Sequence, residues 1–144
     1  MNKQNLSLNL WETKKPDFRR KIIQNVIVDR GSKYTVVWWF VNSKEEVSAF
    51  MKDILRDKYF RKATHNTYAY RIEQDNWTVL ECKNDDWETA AWNCILRELQ
   101  RENAVNIVLV VTRYFGWIKL QSDRFKNVIN ASKIFLKEIK KIWK

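Results

Sequence analysis

Apolar residues along this chain recur in two different spacings, and these spacings divide it into strands and helices. Short runs rich in β-branched and aromatic residues, bounded by turn-forming residues, are typical of strands. They predict strands over 22–28, 34–41, 64–72, 77–82 and 106–114. Apolar residues three and four positions apart predict helices over 43–58, from 85 or 86 to beyond 99, and from 122 or 123 to beyond 139. The element order is therefore β-β-α-β-β-α-β-α.

Helix starts are marked by short polar residues. The segment Ser43 to Glu46 fits a capping box, in which a hydroxyl and a carboxylate each accept a backbone N–H bond. Asp85 or Asp86 is expected to cap the second helix, and Ser122 or Asp123 the third. The apolar run at 107–111 suits a strand that is covered on both faces. This pattern predicts one α+β domain, with helices packed on a mainly antiparallel sheet.

Residues 1–21 show neither spacing, and they are predicted to form a basic N-terminal arm that precedes a domain over 22–144. Their apolar content is too low to offset an ordering cost of about 1–2 kcal/mol per residue. The arm is therefore expected to become ordered only on a partner.

The formal charge of +10 is concentrated at the two ends of the chain. Residues 1–33 hold eight Lys or Arg against three acids, and residues 113–144 hold nine against two. Clustered cations with interleaved aromatics are typical of nucleic-acid binders, whereas the alternative is a solvated basic surface. The candidate RNA-binding residues are Lys14, Lys15, Arg19, Arg20, Lys21, Arg113, Tyr114, Trp117, Lys119, Arg124, Lys126, Lys137, Lys140 and Lys141.

The loop between the last strand and the last helix is the densest part of this set. It contains both arginines, whose planar guanidinium groups bind phosphates, and aromatic rings, on which bases stack. Proteins use this combination to bind unpaired RNA bases. Of the neighbours Tyr114 and Phe115, one is expected to be buried and the other exposed.

Other chemistry is poorly represented. Two cysteines and one histidine exclude a four-ligand zinc site built from these residues alone, and they indicate a reducing compartment. The sequence contains no phosphate-binding glycine loop and no run long enough to span a bilayer. Its polar first residues give no indication of secretion, so we expect no secretory leader. We therefore expect no metal, no cofactor, no membrane partner and a cytoplasmic location.

A catalytic centre is also not expected. His65 suits an acid, a base or, more simply, a hydrogen-bonded orienting residue. Asp85, Asp86 and Glu88 suit a cation or general acid–base site, but helix capping explains them without a ligand. Thr89 and Ser122 lack a nearby histidine, which disfavours a nucleophile.

Four sequence strings in fixed order carry a family resemblance: ATHNTYAYR at 63–71, DDWETAA at 85–91, VVTRYFG at 110–116 and DRFK at 123–126. Together they resemble the conserved domain of the IMPACT family of translation regulators, which is also found in bacterial proteins of the YigZ type. The resemblance spans roughly 26–138. It implies a ribosomal protein S5 domain 2-like fold, and it marks His65, Asn66, Asp85, Asp86, Glu88 and Thr89 as family-motif residues.

The chain departs from this family pattern at glycines. The pattern has glycine where this chain has Trp87, Trp92 and Asn93, and again where it has Trp117 and Gln121. Glycine is typical of positive φ or of close backbone approach. The indoles therefore either fill a lost ligand cleft or provide new contacts for a large partner.

The resemblance also implies a function. IMPACT-type proteins oppose activation of the kinase that phosphorylates initiation factor two, chiefly through a separate RWD domain, which we expect this chain to lack. We therefore expect a non-enzymatic protein that binds the ribosome and ribosomal RNA and restrains translation, with dormancy or hibernation as one form of that restraint. The alternatives are a regulator that binds ribosomal proteins, the kinase activator or actin, and a small enzyme acting on nucleic acid.

Overall fold

The computed structural model describes residues 19–84 and 91–142. The strands are β1 (Lys21–Asp29), β2 (Ser32–Phe40), β3 (His65–Glu73), β4 (Val79–Asn84) and β5 (Ile107–Tyr114). The helices are α1 (Lys44–Ile54), α2 (Lys58–Arg61), α3 (Ala91–Arg101) and α4 (Asp123–Ile142). The described elements confirm the predicted α+β order, with α2 as an addition.

The strands form one sheet in the order β1-β2-β5-β3-β4, and each neighbouring pair is antiparallel. β5 lies at the centre. Its Val108 and Val110 pack on one face, and its Leu109 and Val111 pack on the other. The prediction that this strand is covered on both faces is confirmed.

Each face of the sheet is covered by helices that bury an apolar stripe. On one face α3 and α4 pack on β2, β3 and β5, and Phe135 of α4 meets Trp38 edge to face with ring centroids 4.9 Å apart. On the other face α1 and α2 contribute Phe50, Ile54 and Phe60 to a second cluster. The sheet is therefore the middle layer of three.

The first helix ends earlier than predicted. α1 stops at Ile54 instead of continuing to about residue 58, because Asp57 begins a separate turn. The Asp57 carboxylate accepts a 2.9 Å bond from the Tyr59 backbone N–H, which caps α2. This short turn has a functional consequence, since it places Tyr59 next to the end of β5.

The predicted capping box is present in a shifted form. Ser43 Oγ accepts a 3.1 Å bond from the Glu46 N–H, as predicted. The Glu46 carboxylate, however, accepts from the N–H of Asn42, one residue before the expected position. The predicted cap at Asp85 or Asp86 lies outside the described residues.

The predicted arm and domain meet close to the observed start of β1. Lys21, which the sequence assigned to the arm, is the first residue of that strand. Arg20 is tied to the domain through ion pairs with Asp53 at 3.1 Å and Asp57 at 3.0 Å. Within 19–84 and 91–142, no helix has the length and apolar character that crossing a bilayer requires.

Candidate functional site

The loop after β5 is fixed by two side chains from distant parts of the chain. Phe115 N–H donates to Thr64 Oγ1 at 2.9 Å, and Gly116 N–H donates to Ser32 Oγ at 2.9 Å. Ser32 is fully buried at the first position of β2. The loop therefore leaves the sheet in a defined direction, with Trp117 to Lys119 exposed beyond it.

The chain has only two glycines, and their backbones meet at this loop. Gly31 has a φ of +85° in the β1–β2 turn. A Cβ atom added to Gly116 would lie 2.2 Å from the carbonyl carbon of Gly31, well inside contact distance. Only glycine at 116 allows the loop to lie against the β1–β2 turn.

Two of the substituted family glycines keep the backbone conformation that glycine favours. Trp117 has a φ of 69° and Gln121 a φ of 56°, both in the left-handed region. The Trp117 side chain is 88% exposed. Trp117 therefore does not fill a cleft, and the pocket-filling alternative is wrong at this position.

The other substituted positions differ from Trp117. Trp92 is half-buried and packs against the cluster beneath α3 and α4, so this indole is at least partly a core residue. Trp87 lies outside the described residues.

An open groove of about 580 Å³ lies beside the glycine contact. Its aromatic lining comes from Tyr59, Tyr114, Phe115 and Trp117. The rings form two pairs, with centroids 5.0 Å apart for Tyr59 and Tyr114 and 5.7 Å apart for Phe115 and Trp117. A cleft is therefore present in spite of the substituted glycines.

Polar residues complete the groove. Gln24, Asn25 and Lys33 line it from β1 and β2, and all three are exposed. Sequence reasoning missed these residues and Tyr59, because they join the loop only through strand pairing and the turn of α2. The two glycines were the available signal in the sequence. Both lie at the groove, and Gly31 is two residues from Lys33.

The tyrosines of the groove are held by hydrogen bonds. Tyr114 Oη donates to the backbone carbonyl of Tyr59. Tyr59 Oη and Thr35 Oγ1 are hydrogen-bonded at 2.7 Å, and either hydroxyl can be the donor. Thr35 Oγ1 also accepts from the N–H of Asn25 at 3.1 Å. Burial raises the pKa of Tyr114, and the neighbouring Tyr59 and Asp57 raise it further, so this phenol stays neutral.

Tyr114 and Phe115 are both half-buried. The prediction of one buried and one exposed ring is wrong. Both rings line the groove, because the chain turns away from the sheet between them.

The family-motif residue Asn66 has a structural position. Its side-chain amide donates to the Phe60 carbonyl at 2.8 Å, and its Oδ1 accepts from Thr112 Oγ1 at 2.8 Å. Asn66 thereby holds α2, which carries Tyr59, against the sheet. His65 is half-buried and pairs across the strands with Arg113.

The acidic motif residues Asp85, Asp86 and Glu88 lie outside the described residues, and so does Thr89. In the part of the chain that the structure describes, no group of three or more His, Cys, Asp or Glu residues is arranged to hold a metal ion.

Several predicted cations do gather at the loop. Arg113 lies over the Phe115 ring at 5.8 Å, and Arg124 lies over the Phe125 ring at 4.5 Å. Lys119 and Lys126 are exposed nearby in the loop and the first turn of α4. Trp117, another predicted residue, lies in the same loop. The loop therefore carries the expected combination of charge and aromatic rings.

Two carboxylates at this end of the sheet, those of Asp29 and Asp123, are paired with Arg30. Arg30 pairs with Asp29 at 3.0 Å and with Asp123 at 2.5 Å, which ties the β1–β2 turn to the start of α4. Hydrogen bonds from Arg30 and Asn127 lower the pKa of Asp29 to about 2.

Several other predicted RNA-binding residues of the described segments do not join this group. Arg20 is paired with Asp53 and Asp57, and Lys140 is paired with Glu102 at 2.6 Å. The 20-residue α4 spans ~30 Å, so its last turns are far from the loop. The predicted residues in those turns are Lys137, Lys140 and Lys141.

Other members of the set lie at the start of β1 or before it. Arg19 is exposed immediately before β1, and Lys21 is the first residue of that strand. Lys14 and Lys15 lie outside the described residues.

Comparison with known proteins places the chain in a family. A model of the family described as the Impact N-terminal domain matches residues 30–136. Protein IMPACT of Oryctolagus cuniculus is 37% identical over 113 residues, which cover 78% of this chain and 36% of that protein. The Protein IMPACT homolog of Dictyostelium discoideum is 34% identical over 110 residues, covering 76% and 32% respectively. The chain thus spans about a third of the length of these relatives.

Two solved structures are similar in fold. The two-domain translational regulator Yih1 is 31% identical with a TM-score of 0.56, and the match covers 82% of this chain and 46% of Yih1. A crystal structure of an hypothetical protein has a TM-score of 0.67 at 18% identity, over 82% of this chain and 57% of the other, and it shows likeness of fold alone. The family model and the relatives of known sequence confirm the expected resemblance: the chain belongs to the family defined by the Impact N-terminal domain.

Proposed function

We propose that this protein is a translation regulator that binds the ribosome through ribosomal RNA and restrains translation by binding rather than by catalysis. Its relative Yih1 is a translational regulator, and this relationship supports the regulatory role. The proposal places the protein in the cytoplasm, where ribosomes translate. Dormancy is the condition in which such restraint would be most useful.

The observation that carries the proposal is the exposed basic and aromatic surface around Trp117. Lys33, Lys119 and Lys126 form no ion pair within the described residues. The nearby carboxylates of Asp29 and Asp123 are both occupied by Arg30. The surface therefore keeps a positive charge that suits phosphates, next to rings that suit unpaired bases.

Sedimentation of the native protein with ribosomes tests this proposal. We expect cosedimentation that ribonuclease abolishes and that falls with salt, by tens to thousands of fold over a few-fold rise if roughly four to eight phosphates are neutralised. Binding that resists ribonuclease would instead indicate a protein partner, such as a ribosomal protein or a kinase activator, and would contradict the RNA proposal.

A matched pair of charge variants locates the contact. Lys119→Gln with Lys126→Gln removes two charges from the loop surface, whereas Lys133→Gln with Lys137→Gln removes two exposed charges further along α4. Each lost phosphate contact lowers the salt slope by about one. We expect the first pair to lower the slope by about two and the second to leave it unchanged. Equal effects of the two pairs would show that charge alone, and not this surface, determines binding.

A further inference from the structure

We infer that the groove between the β1–β2 turn and the loop after β5 holds a single unpaired nucleobase of the bound RNA. The inference rests on the proposed function and adds a ligand class to it. The base would stack on the groove's rings, and its phosphate would face Lys33.

The arrangement of the rings supports stacking. Tyr59 and Tyr114 form one pair in the groove, and Phe115 and Trp117 form the other. Trp117 is 88% exposed, so much of its indole surface is accessible to a ligand. Stacking on aromatic rings is the main way in which proteins hold bases that are released from a helix.

The polar wall of the groove supports a base rather than an apolar peptide side chain. Pairing of β1 with β2 is interrupted between Ile23 and Ile27, and Asn25 there has a φ of 54°. The Asn25 N–H bonds to Thr35 Oγ1, while the exposed side chains of Gln24 and Asn25 line the groove. Amides carry both a donor and an acceptor, as the hydrogen-bonding edge of a base requires.

Lys33 supplies the charge that this ligand requires. It lines the same groove from β2, is exposed, and forms no ion pair in the part of the chain that the structure describes. An ammonium beside aromatic rings complements a nucleotide, whose base is flat and whose phosphate is anionic.

The walls of the groove are held in place by hydrogen bonds within the protein. Asn66 fixes α2, Tyr114 bonds to the Tyr59 carbonyl, and Ser32 fixes Gly116. A binding site that is held in place loses little conformational entropy on binding. Its volume of about 580 Å³ lies within the range for small-molecule sites, about 300–1,000 Å³. Bases stacked within a duplex cannot enter it, so the groove should select single strands.

Fluorescence anisotropy with the full chain tests the inference. The probes are a short single-stranded RNA, an abasic strand of the same length and charge, and the corresponding duplex. We expect the single strand to bind roughly five- to 150-fold more tightly than the abasic strand, the range that stacking of one base gives. Trp117→Gly should bring this ratio close to one while leaving the affinity for the abasic strand unchanged.

Two further variants separate the parts of the groove. Lys33→Gln should weaken binding of both strands by the same factor, because it removes a phosphate contact only. Trp77→Gly removes another exposed indole, in the β3–β4 turn, and should leave the ratio of the two affinities unchanged.

The possible failures are distinguishable. Equal, salt-dependent binding of the single and abasic strands would overturn the nucleobase site and leave the RNA-binding proposal standing. A ratio that survives Trp117→Gly would also overturn the site. If neither strand binds, both the site and the RNA-binding proposal are wrong.

Discussion

Replacing Trp117 with glycine should separate binding from folding. Removal of a buried aromatic side chain costs about 3–5 kcal/mol of folding stability. Trp117, however, is 88% exposed, and the ring it touches is Phe115, with centroids 5.7 Å apart. Such a pair contributes about 0.5–1.5 kcal/mol beyond its buried area. The expected loss of packing energy is therefore small.

The backbone at Trp117 changes the balance in the opposite direction. Its φ of 69° costs a residue with a side chain about 1–2 kcal/mol. Glycine removes that cost. It also lowers the free energy of unfolding by about 0.5–1 kcal/mol, because glycine has more conformational freedom in the unfolded chain. These opposing effects predict that the free energy of unfolding changes by no more than about 1.5 kcal/mol. Urea unfolding followed by far-ultraviolet circular dichroism measures it.

The affinity of Trp117→Gly for single-stranded RNA should fall far more than its stability. Loss of one stacking platform costs about 1–3 kcal/mol, which corresponds to a roughly five- to 150-fold weaker Kd. Anisotropy at fixed salt measures this change. A folded variant with unchanged affinity would refute the contact, and a stability loss above about 3 kcal/mol would refute the description of the side chain as exposed.

Trp77 provides a matched control. Its φ is 68° and its side chain is 95% exposed, so Trp77→Gly makes the same chemical and backbone change. It lies in the β3–β4 turn, and β3 begins at the groove end of the sheet and finishes at the opposite end. We expect a similar change in stability and no change in RNA affinity.

The remaining predictions concern the residues that hold the site together. Gly116→Ala should lower stability by about 1–3 kcal/mol in urea unfolding, because the new Cβ would lie 2.2 Å from the Gly31 carbonyl carbon; unchanged stability would contradict that contact. The pKa of Asp29 is about 2 in the folded state, which is below its unfolded value of about 3.9. Its carboxylate therefore stabilises the fold above about pH 4, and this stabilisation is lost as the pH falls through 2. The stability difference between wild type and Asp29→Asn should therefore shrink from pH 5 to pH 2, and a constant difference would exclude this role. Asn66→Ala should cost about 1–3 kcal/mol, since it removes the buried bond to the Phe60 carbonyl and the acceptor of the buried Thr112 hydroxyl, and a melting temperature equal to that of wild type would argue against it.

Local spacing was sufficient to predict most of the fold. The apolar stripe of α4 and the continuous apolar run of β5 lie where the sequence placed them. Burial imposes a period of 3.6 on a helix and covers a central strand on both faces. These patterns can therefore be recognised without knowledge of the rest of the chain.

The candidate site could be predicted only in part, because it depends on contacts between distant segments. The bond between Gly116 N–H and Ser32 Oγ joins residues 84 apart. Tyr59 enters the groove through a four-residue turn whose Asp57 cap was not recognised. Neither contact leaves a periodic signal. The loop itself was identified, because its cations and rings are close in sequence.

Charge showed the same limit. Lys126 and Lys140 belong to one predicted RNA-binding set near the C-terminus, but α4 carries them to well-separated positions. Three cations, Arg20, Arg30 and Lys140, form ion pairs with carboxylates that are distant in sequence. Proximity of charges in sequence predicts a surface reliably only within a loop or a single helical face.

Trp77 and Trp117, the two exposed indoles among the described residues, differ in how well their surroundings suit the proposed RNA ligand. Trp77 and Trp117 each combine a left-handed backbone with a side chain in solvent, and both features lower stability without contributing to the core. Their surroundings differ in charge: Trp77 follows the exposed acids Glu73 and Asp75, whereas Trp117 lies beside Lys119 and a groove that contains Lys33. An anionic strand would be repelled at the first indole and attracted at the second. Exposure alone therefore does not distinguish the two indoles. The groove and Lys33, which forms no ion pair within the described residues, favour Trp117 as the proposed contact.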